Sequence, residues 1–282
     1  MGCKFSIVVP VLNRADYLPR LFQSFRGLEE AEVIFVDNGS TDNSYELIEA
    51  YANNENPFTV KLLKEPKAGA CAARNTGMRA AEGEWIFFFD SDDALSTTFF
   101  DDAPDEDCDV ICAPTKMIFP NGQSKNRHYK PTGAVADQVL TGMISTQTFL
   151  AKREWLMRNV GFWNESLSRW QDWEYGTRIL LAQPRLKWLK IAYHRIYQHD
   201  NSISGKPMKD DAQDLLVALK AVAALPLDKK SQRALTRRAY WLAEKTKDAE
   251  IKLYATTLPV QPTCRLCEII RVKLPGALTC NP

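Results

Sequence analysis

No stretch of this chain reaches the roughly 18 consecutive apolar residues that a membrane-spanning helix needs. Charge of one sign is lacking too. The 36 basic and 35 acidic residues leave a net charge of +1, so no broad field suits nucleic acid, which is not an expected partner. A complete zinc set is missing. Of the seven cysteines, Cys264 and Cys267 form a CxxC with Cys280 beyond, but no histidine or fourth cysteine completes four ligands. Cys71, Cys108 and Cys112 lie among apolar or small residues and read as core thiols; free cysteines in a reducing cytosol are the expectation. There is no internal repeat and no low-complexity tract. No N-terminal signal is read, because strand-like residues follow Met1 almost at once. These absences predict a soluble, cytoplasmic protein, compatible with peripheral contact at the inner face of a membrane.

What is present is ordinary globular material. The 282 residues are 45% hydrophobic and 25% charged, enough chain to bury most of its unfolded surface. FSIVV (Phe5 to Val9) reads as a buried parallel strand stopped by Pro10. Leu18, Leu21, Phe22, Phe25 and Leu28 follow helical spacing, with Asp16 as a candidate cap. VIFV (Val33 to Val36) is a second strand, ending in the turn cluster Asp37-Asn38-Gly39-Ser40. A helix carrying Leu47, Ile48 and Tyr51 inward follows. Thr59 to Leu63 is a third strand, Ala70 to Ala81 a closely packed helix, and Trp85 to Phe89 a fourth strand. This alternation predicts an α/β fold with a mostly parallel, doubly wound sheet flanked by helices. Beyond Ala94 the pattern loosens. Asp109 to Cys112 reads as a strand, and Met117 to Arg127 as a hairpin around Asn121-Gly122. Thr146 to Val160 and Asp172 to Ala182 read as helices, Leu186 to Gln198 as strand-like segments, and Met208 to Lys247 as strongly helical. A linker falls at Pro259 to Pro262.

Open parallel sheets bind ligands beyond the C-terminal ends of their strands. The ends of the four expected strands carry polar groups: Pro10, Asn13 and Arg14; Asp37, Asn38, Gly39 and Ser40; Lys67, Gly69, Arg74 and Asn75; Asp90, Asp92 and Asp93. The last set follows a buried run, WIFFFDSDDA, in which apolar residues end abruptly in carboxylates. Two carboxylates as close as Asp90 and Asp92 repel, and a proton or a cation must relieve them. Magnesium and manganese bridge such carboxylates to substrate phosphates. The structural alternative is that Asp92 or Asp93 caps a helix starting at Leu95. Arg74 suits a phosphate through its planar donors; otherwise it is a surface cation.

FSIVVPVLNRADYLPRLFQSF, VIFVDNGSTDNS, KAGACAARNTG and GEWIFFFDSDD resemble, in order and spacing, successive blocks of family-2 glycosyltransferases, which are inverting enzymes with the GT-A fold. The resemblance covers about the first hundred residues closely. It resumes at STQTFLAKREWLMRNVGFWNESLSRWQDWEYGTRIL, while the last 75 or so residues resemble nothing named. It implies a Rossmann-like transferase domain over residues 1–205, with a nucleotide-sugar half to about residue 100 and an acceptor half to about 205. A helical extension follows over 206–282. It also implies residue roles. Pro10 and Asn13 wall the nucleotide base and Asp37 contacts it. Arg74 and Lys67 assist at the diphosphate. Asp90, with Ser91 beside it, reaches the ribose side, and Asp92 binds a Mn²⁺ or Mg²⁺ ion. His199, in YQHDNSIS, falls where relatives carry a histidine near diphosphate and metal; an ordinary loop histidine is the alternative. Asp172 in RWQDWEY matches the catalytic base, with an N-cap as its structural alternative. Gln171 departs from the usual Glu before it, which leaves acceptor binding or base tuning open. Trp170 is a candidate acceptor-stacking ring, although such rings are more often core.

The resemblance thus implies sugar transfer from a nucleotide sugar, UDP-linked, to a saccharide or lipid-linked saccharide in surface polysaccharide synthesis. CRLCEIIRVKLPG near the C-terminus mixes apolar and basic residues and suggests peripheral membrane contact, with packing against the catalytic domain as the alternative. A nucleotidyltransferase would want a Gly-rich loop after strand one, and PVLNRADYLP has no glycine. A non-catalytic nucleotide-sugar-binding or partner protein of the same fold is the remaining alternative, with Gln171 its one supporting feature.

Overall fold

The computed structural model describes residues 3–127, 132–199 and 207–260. CRLCEIIRVKLPG and the three C-terminal cysteines lie outside the described residues. The chain forms two compact units: residues 1–128, 146–168 and 184–199, and residues 129–145, 169–183 and 200–282.

The first unit is built on a seven-stranded sheet. Its strands are β1 (Phe5–Val11), β2 (Ala31–Asp37), β3 (Thr59–Lys64), β4 (Trp85–Phe88), β5 (Val110–Cys112), β8 (Phe149–Lys152) and β9 (Leu186–Trp188), in the order β3-β2-β1-β4-β8-β5-β9. Val33 to Val36 and Ile86 to Phe89 are each 0% exposed, as expected for parallel strands covered on both faces. Helices α1 (Leu18–Ser24), α2 (Ser44–Ala52) and α3 (Ala70–Ala80) join the parallel strands. A second sheet, of order β10-β6-β7, contains β6 (Thr115–Ile118), β7 (Ser124–Arg127) and β10 (Arg195–Tyr197). The hairpin at Asn121-Gly122 is observed as the antiparallel pair β6–β7.

Three expectations are corrected. Pro10 does not stop the first strand; it lies inside β1, opposite Val36. Pairing of β1 with β4 ends at Val8, so the N–H that Pro10 lacks falls beyond that ladder. Thr146 to Val160 is not one helix. Its middle is β8, antiparallel to both β4 and β5, between a single 3₁₀ turn at Thr146–Thr148 and α6 (Arg153–Asn159). No helix starts at Leu95; the next is the short α4 (Thr98–Asp102).

Small residues let α3 lie directly on the sheet. A Cβ on Gly77 would overlap the Val8 Cγ1 methyl and stand 3.3 Å from Val36 Cγ2. That proximity fixes the height of Arg74, one turn earlier on α3.

The described part of the second unit is helical: α5 (Val135–Thr141), α7 (Gln171–Leu181), α8 (Ala212–Ala223), α9 (Lys229–Thr246) and α10 (Ala249–Thr257). The strongly helical stretch expected from Met208 to Lys247 is observed, with α8 and α9 separated at the segment holding Pro226, which can neither donate an N–H nor follow a helical residue comfortably. Asp228 caps α9 by accepting from the Ser231 N–H at 2.7 Å, and Asp248 caps α10 by accepting from Ile251 at 2.9 Å.

Candidate active site

The parallel register aligns Val11 with Asp37, Asp37 with Lys64 and Val8 with Phe88. The polar groups expected at these strand ends therefore do gather on one rim of the first unit. Asp37, 5% exposed, accepts from the Gly39 and Ser40 N–H groups at 3.3 Å. The turn that follows β2 is thus shaped by its own carboxylate. Asn13 takes a left-handed φ of 52°, tolerable for Asn. It meets the same turn: its Oδ1 accepts from the Thr41 N–H at 2.8 Å and its N–H donates to Ser40 Oγ at 3.0 Å. Asn38, which no motif singled out beyond the turn, ties the next strand end in. Its amide donates to the Glu65 and Lys67 carbonyls and its Oδ1 accepts from the Gly69 N–H at 2.7 Å.

Arg74 is 5% exposed. Its guanidinium donates to Asp90 Oδ1 at 2.9 Å and lies 4.9 Å from the Trp163 ring centroid. The surface-cation alternative is therefore excluded. Lys67 is more exposed; its Nζ meets Glu165 Oε2 at 2.6 Å. Lys67 and Asn75 together hold the Glu165 carboxyl below its usual range.

The three aspartates after β4 separate into distinct environments. Asp92 faces cations and a histidine: its Oδ2 lies 2.9 Å from His199 Nε2 and 3.7 Å from Arg14 Nε. His199 is itself seated by Tyr17, whose hydroxyl is 3.3 Å from Nδ1 and whose ring centroid is 4.8 Å away. Arg20 donates to the Asp92 carbonyl and lies 3.7 Å over the Tyr197 ring. Asp93 turns inward and is 3% exposed. It accepts from the Tyr197 N–H at 2.7 Å and from the Gln147 amide. Burial, with Asp92 and Asp90 alongside, pushes its carboxyl well above the ordinary value. Asp93 caps no helix; it anchors β10, and β10 leads to His199. Ser91 is 4% exposed.

Among the described residues, no three His, Cys, Asp or Glu side chains form a metal cluster. Asp92 and His199 offer a two-ligand set. Their donor atoms are already as close as two ligands of one ion, and mixed carboxylate and imidazole donors suit manganese while leaving places for phosphate oxygens. With further oxygen ligands to complete the coordination, these two residues could hold a divalent ion.

In the second unit, Trp170 is the residue before α7, with φ 53° and ψ 29°, and Gln171 is the first residue of the helix. Asp172 Oδ1 accepts from the Trp173 N–H at 2.9 Å. The N-cap alternative does not hold, since the cap position is Trp170 and no side chain caps it. Tyr17, Arg14, Arg20 and Asp93 shape the cluster around Asp92 and His199. Strand-end position points to Arg14 and Asp93, whereas nothing in the sequence marks Tyr17 or Arg20.

The chain matches the description "Glycosyl transferase family 2" over residues 6–163. It is 26% identical over 220 residues to the uncharacterized glycosyltransferase YibD of Escherichia coli, covering 71% of this chain and 63% of the relative. It is 37% identical over 112 residues to the glycosyltransferase GlyG of Streptococcus pneumoniae, 38% of this chain and 37% of that one. The aligned part thus spans less than two thirds of these relatives. The fold is shared with TarS 1–349 of S. aureus in complex with UDP-GlcNAc, at a TM-score of 0.64 and 20% identity, covering 89% of this chain and 75% of that one. It is also shared with the mannosyltransferase PcManGT of Pyrobaculum calidifontis in complex with GDP-Man and Mn²⁺, at a TM-score of 0.64 and 17% identity over 93% and 77% of the two chains. On the family match across more than half its length, this chain belongs to glycosyl transferase family 2.

Proposed function

We propose that this chain is a metal-dependent, inverting glycosyltransferase. It moves a sugar from a nucleotide-sugar donor, UDP-linked, to a saccharide or lipid-linked saccharide acceptor in surface polysaccharide synthesis. Residues 1–205 serve as the transferase domain, and the reaction takes place on the cytoplasmic side, at the membrane's inner face. The observation that carries this reading is the approach of His199 Nε2 to Asp92 Oδ2 at 2.9 Å, beside the Arg74–Asp90 pair, on the rim where open sheets bind ligands. The UDP-GlcNAc in TarS and the GDP-Man and Mn²⁺ in PcManGT support a nucleotide-sugar donor and a divalent metal; UDP is preferred on the match of Asp37 to the family's uracil-contacting acid.

In this reading Asp37, Asn13 and Pro10 hold the base, and Asp90 and Ser91 take the ribose side. Arg74, with Lys67, offers donors to the diphosphate. Asp92 and His199 would hold a divalent ion, which offsets the charge developing on the leaving diphosphate. Asp172 takes the proton of the acceptor hydroxyl as that oxygen attacks the anomeric carbon from the face opposite the leaving group. The step inverts the centre and is worth roughly 10²- to 10⁴-fold by general-base precedent. Trp170 and Gln171 contact the acceptor. The role of Asp172 rests on the RWQDWEY resemblance. Asp92→Asn is expected to lose metal-dependent nucleotide binding, and Asp172→Asn to keep it while losing transfer. The two variants with phenotypes exchanged, or full transfer by both, would overturn the assignment, and nucleotide-sugar binding without turnover by the wild type would favour a non-catalytic binding protein.

A further inference from the structure

The segment that carries Asp172 is gripped from α9. Arg238, 9% exposed, has its guanidinium carbon 4.3 Å from the Trp170 ring and 4.4 Å from the Trp173 ring. Those rings meet edge to face at 5.1 Å and 75°, so one planar cation touches both. Arg238 Nη1 donates to the Leu140 carbonyl at 2.9 Å and Trp173 Nε1 to the Val139 carbonyl at 3.0 Å. Both acceptors belong to the last turn of α5, where carbonyls lack helical partners and a cation is favoured. Trp241, one turn along α9 from Arg238, lies near-parallel to Trp170 at 6.5 Å. Arg169, immediately before Trp170, pairs with Asp211 at 3.0 Å.

Between these anchors Trp170 adopts the left-handed backbone noted above. A bulky side chain rarely accepts that conformation, and it persists only where the surroundings over-determine it. Here the left-handed residue ends the incoming segment and starts α7 at Gln171. The Trp173 N–H, on the residue whose ring Arg238 covers, then donates to the Asp172 carboxylate.

We propose that Arg238 is a positioning residue: by clamping Trp170 and Trp173 it holds the turn that fixes Asp172, which makes α9 a working part of the transferase. The proposal rests on the reading of Asp172 as the base. A planar guanidinium can contact two rings at once, whereas a lysine keeps the charge and the bond to Leu140 but loses that double contact.

The test uses the full chain as wild type, Arg238→Met, Arg238→Lys and Asp172→Asn. The probes are UDP-glucose, UDP-galactose, UDP-N-acetylglucosamine and GDP-mannose with manganese, with water as the acceptor, so no knowledge of the natural acceptor is needed. Arg238→Met is expected to keep its circular dichroism spectrum and its donor KM within about twofold. Its kcat should fall on the order of 10- to 100-fold, the scale of a base displaced by about 1 Å. Arg238→Lys is expected to recover part of that loss, and if the Met variant fails to fold, the Lys variant decides by the same split of kcat from KM. A purely structural role would lower the melting temperature without moving kcat apart from KM. Wild-type kcat in the Arg238 variants, alongside a loss in Asp172→Asn, would overturn the proposal alone. Wild-type turnover in Asp172→Asn, or none by the wild type with any donor, would overturn the reading beneath it and the proposal with it.

Discussion

Lowering the pH from about 7.5 to about 5 should remove about 2 kcal/mol of stability through His194 alone. This residue is 0% exposed, with Phe87, Phe89 and Phe99 rings 4.9, 5.5 and 4.8 Å away. Its Nδ1 accepts from the Ser96 N–H at 3.2 Å, and its buried Nε2 has no hydrogen-bond partner among the described residues. Burial pushes the imidazole from its ordinary 6.5 down to about 3. The folded protein therefore stays neutral at this position while the unfolded chain takes a proton below about pH 6.5. The stabilisation is complete above that value and fades as the pH falls toward 3. At about pH 5 the unfolded histidine is almost fully charged and the folded one almost fully neutral, which gives the figure of about 2 kcal/mol. His194→Asn removes the titration, and its Oδ1 replaces the Nδ1 acceptor for Ser96. The loss of ring packing is a fixed cost that does not vary with pH. Urea unfolding of both proteins at both pH values isolates the term, because every other titrating group, the buried Asp93 included, cancels in the difference of differences. Wild type should lose about 2 kcal/mol more than the variant on acidification. A parallel decline of the two would refute the reasoning.

Asp93→Ala leaves the Tyr197 N–H and the Gln147 amide without their acceptor. It should cost about 2–4 kcal/mol in denaturant unfolding and weaken manganese-dependent nucleotide binding, because β10 leads to His199; unaltered binding would mean that β10 needs no such anchor. Gly77→Ala gains about 1 kcal/mol of helix propensity but drives a methyl into the stiff Val8 side chain, at about 1–3 kcal/mol. A net loss is expected in thermal melts, and a net gain would show that α3 can lift off the sheet freely.

The first half of the sheet was legible because buried parallel strands are continuous apolar runs, and VIFV and WIFFF can hardly be anything else. Strand β8 was not. FLAK is short, and it runs directly into the helical REWLMRN. Only antiparallel pairing with β4 and β5, far away in the chain, makes it a strand. Asp90, Asp92 and Arg74 could be picked because strand-end position and charge coincide. The inward turn of Asp93 could not, since its acceptors' partners lie 54 and 104 positions along the chain. Arg238 was invisible for the same reason: it lies 98 positions from Leu140, in a helix with many other basic residues.

The measurement that bears most directly on the central claim is calorimetric titration of UDP, GDP and other nucleoside diphosphates into the full chain, each with and without manganese. The account predicts tight binding of UDP, dependent on the metal and lost in Asp92→Asn. Failure of every nucleotide to bind the folded protein would contradict it.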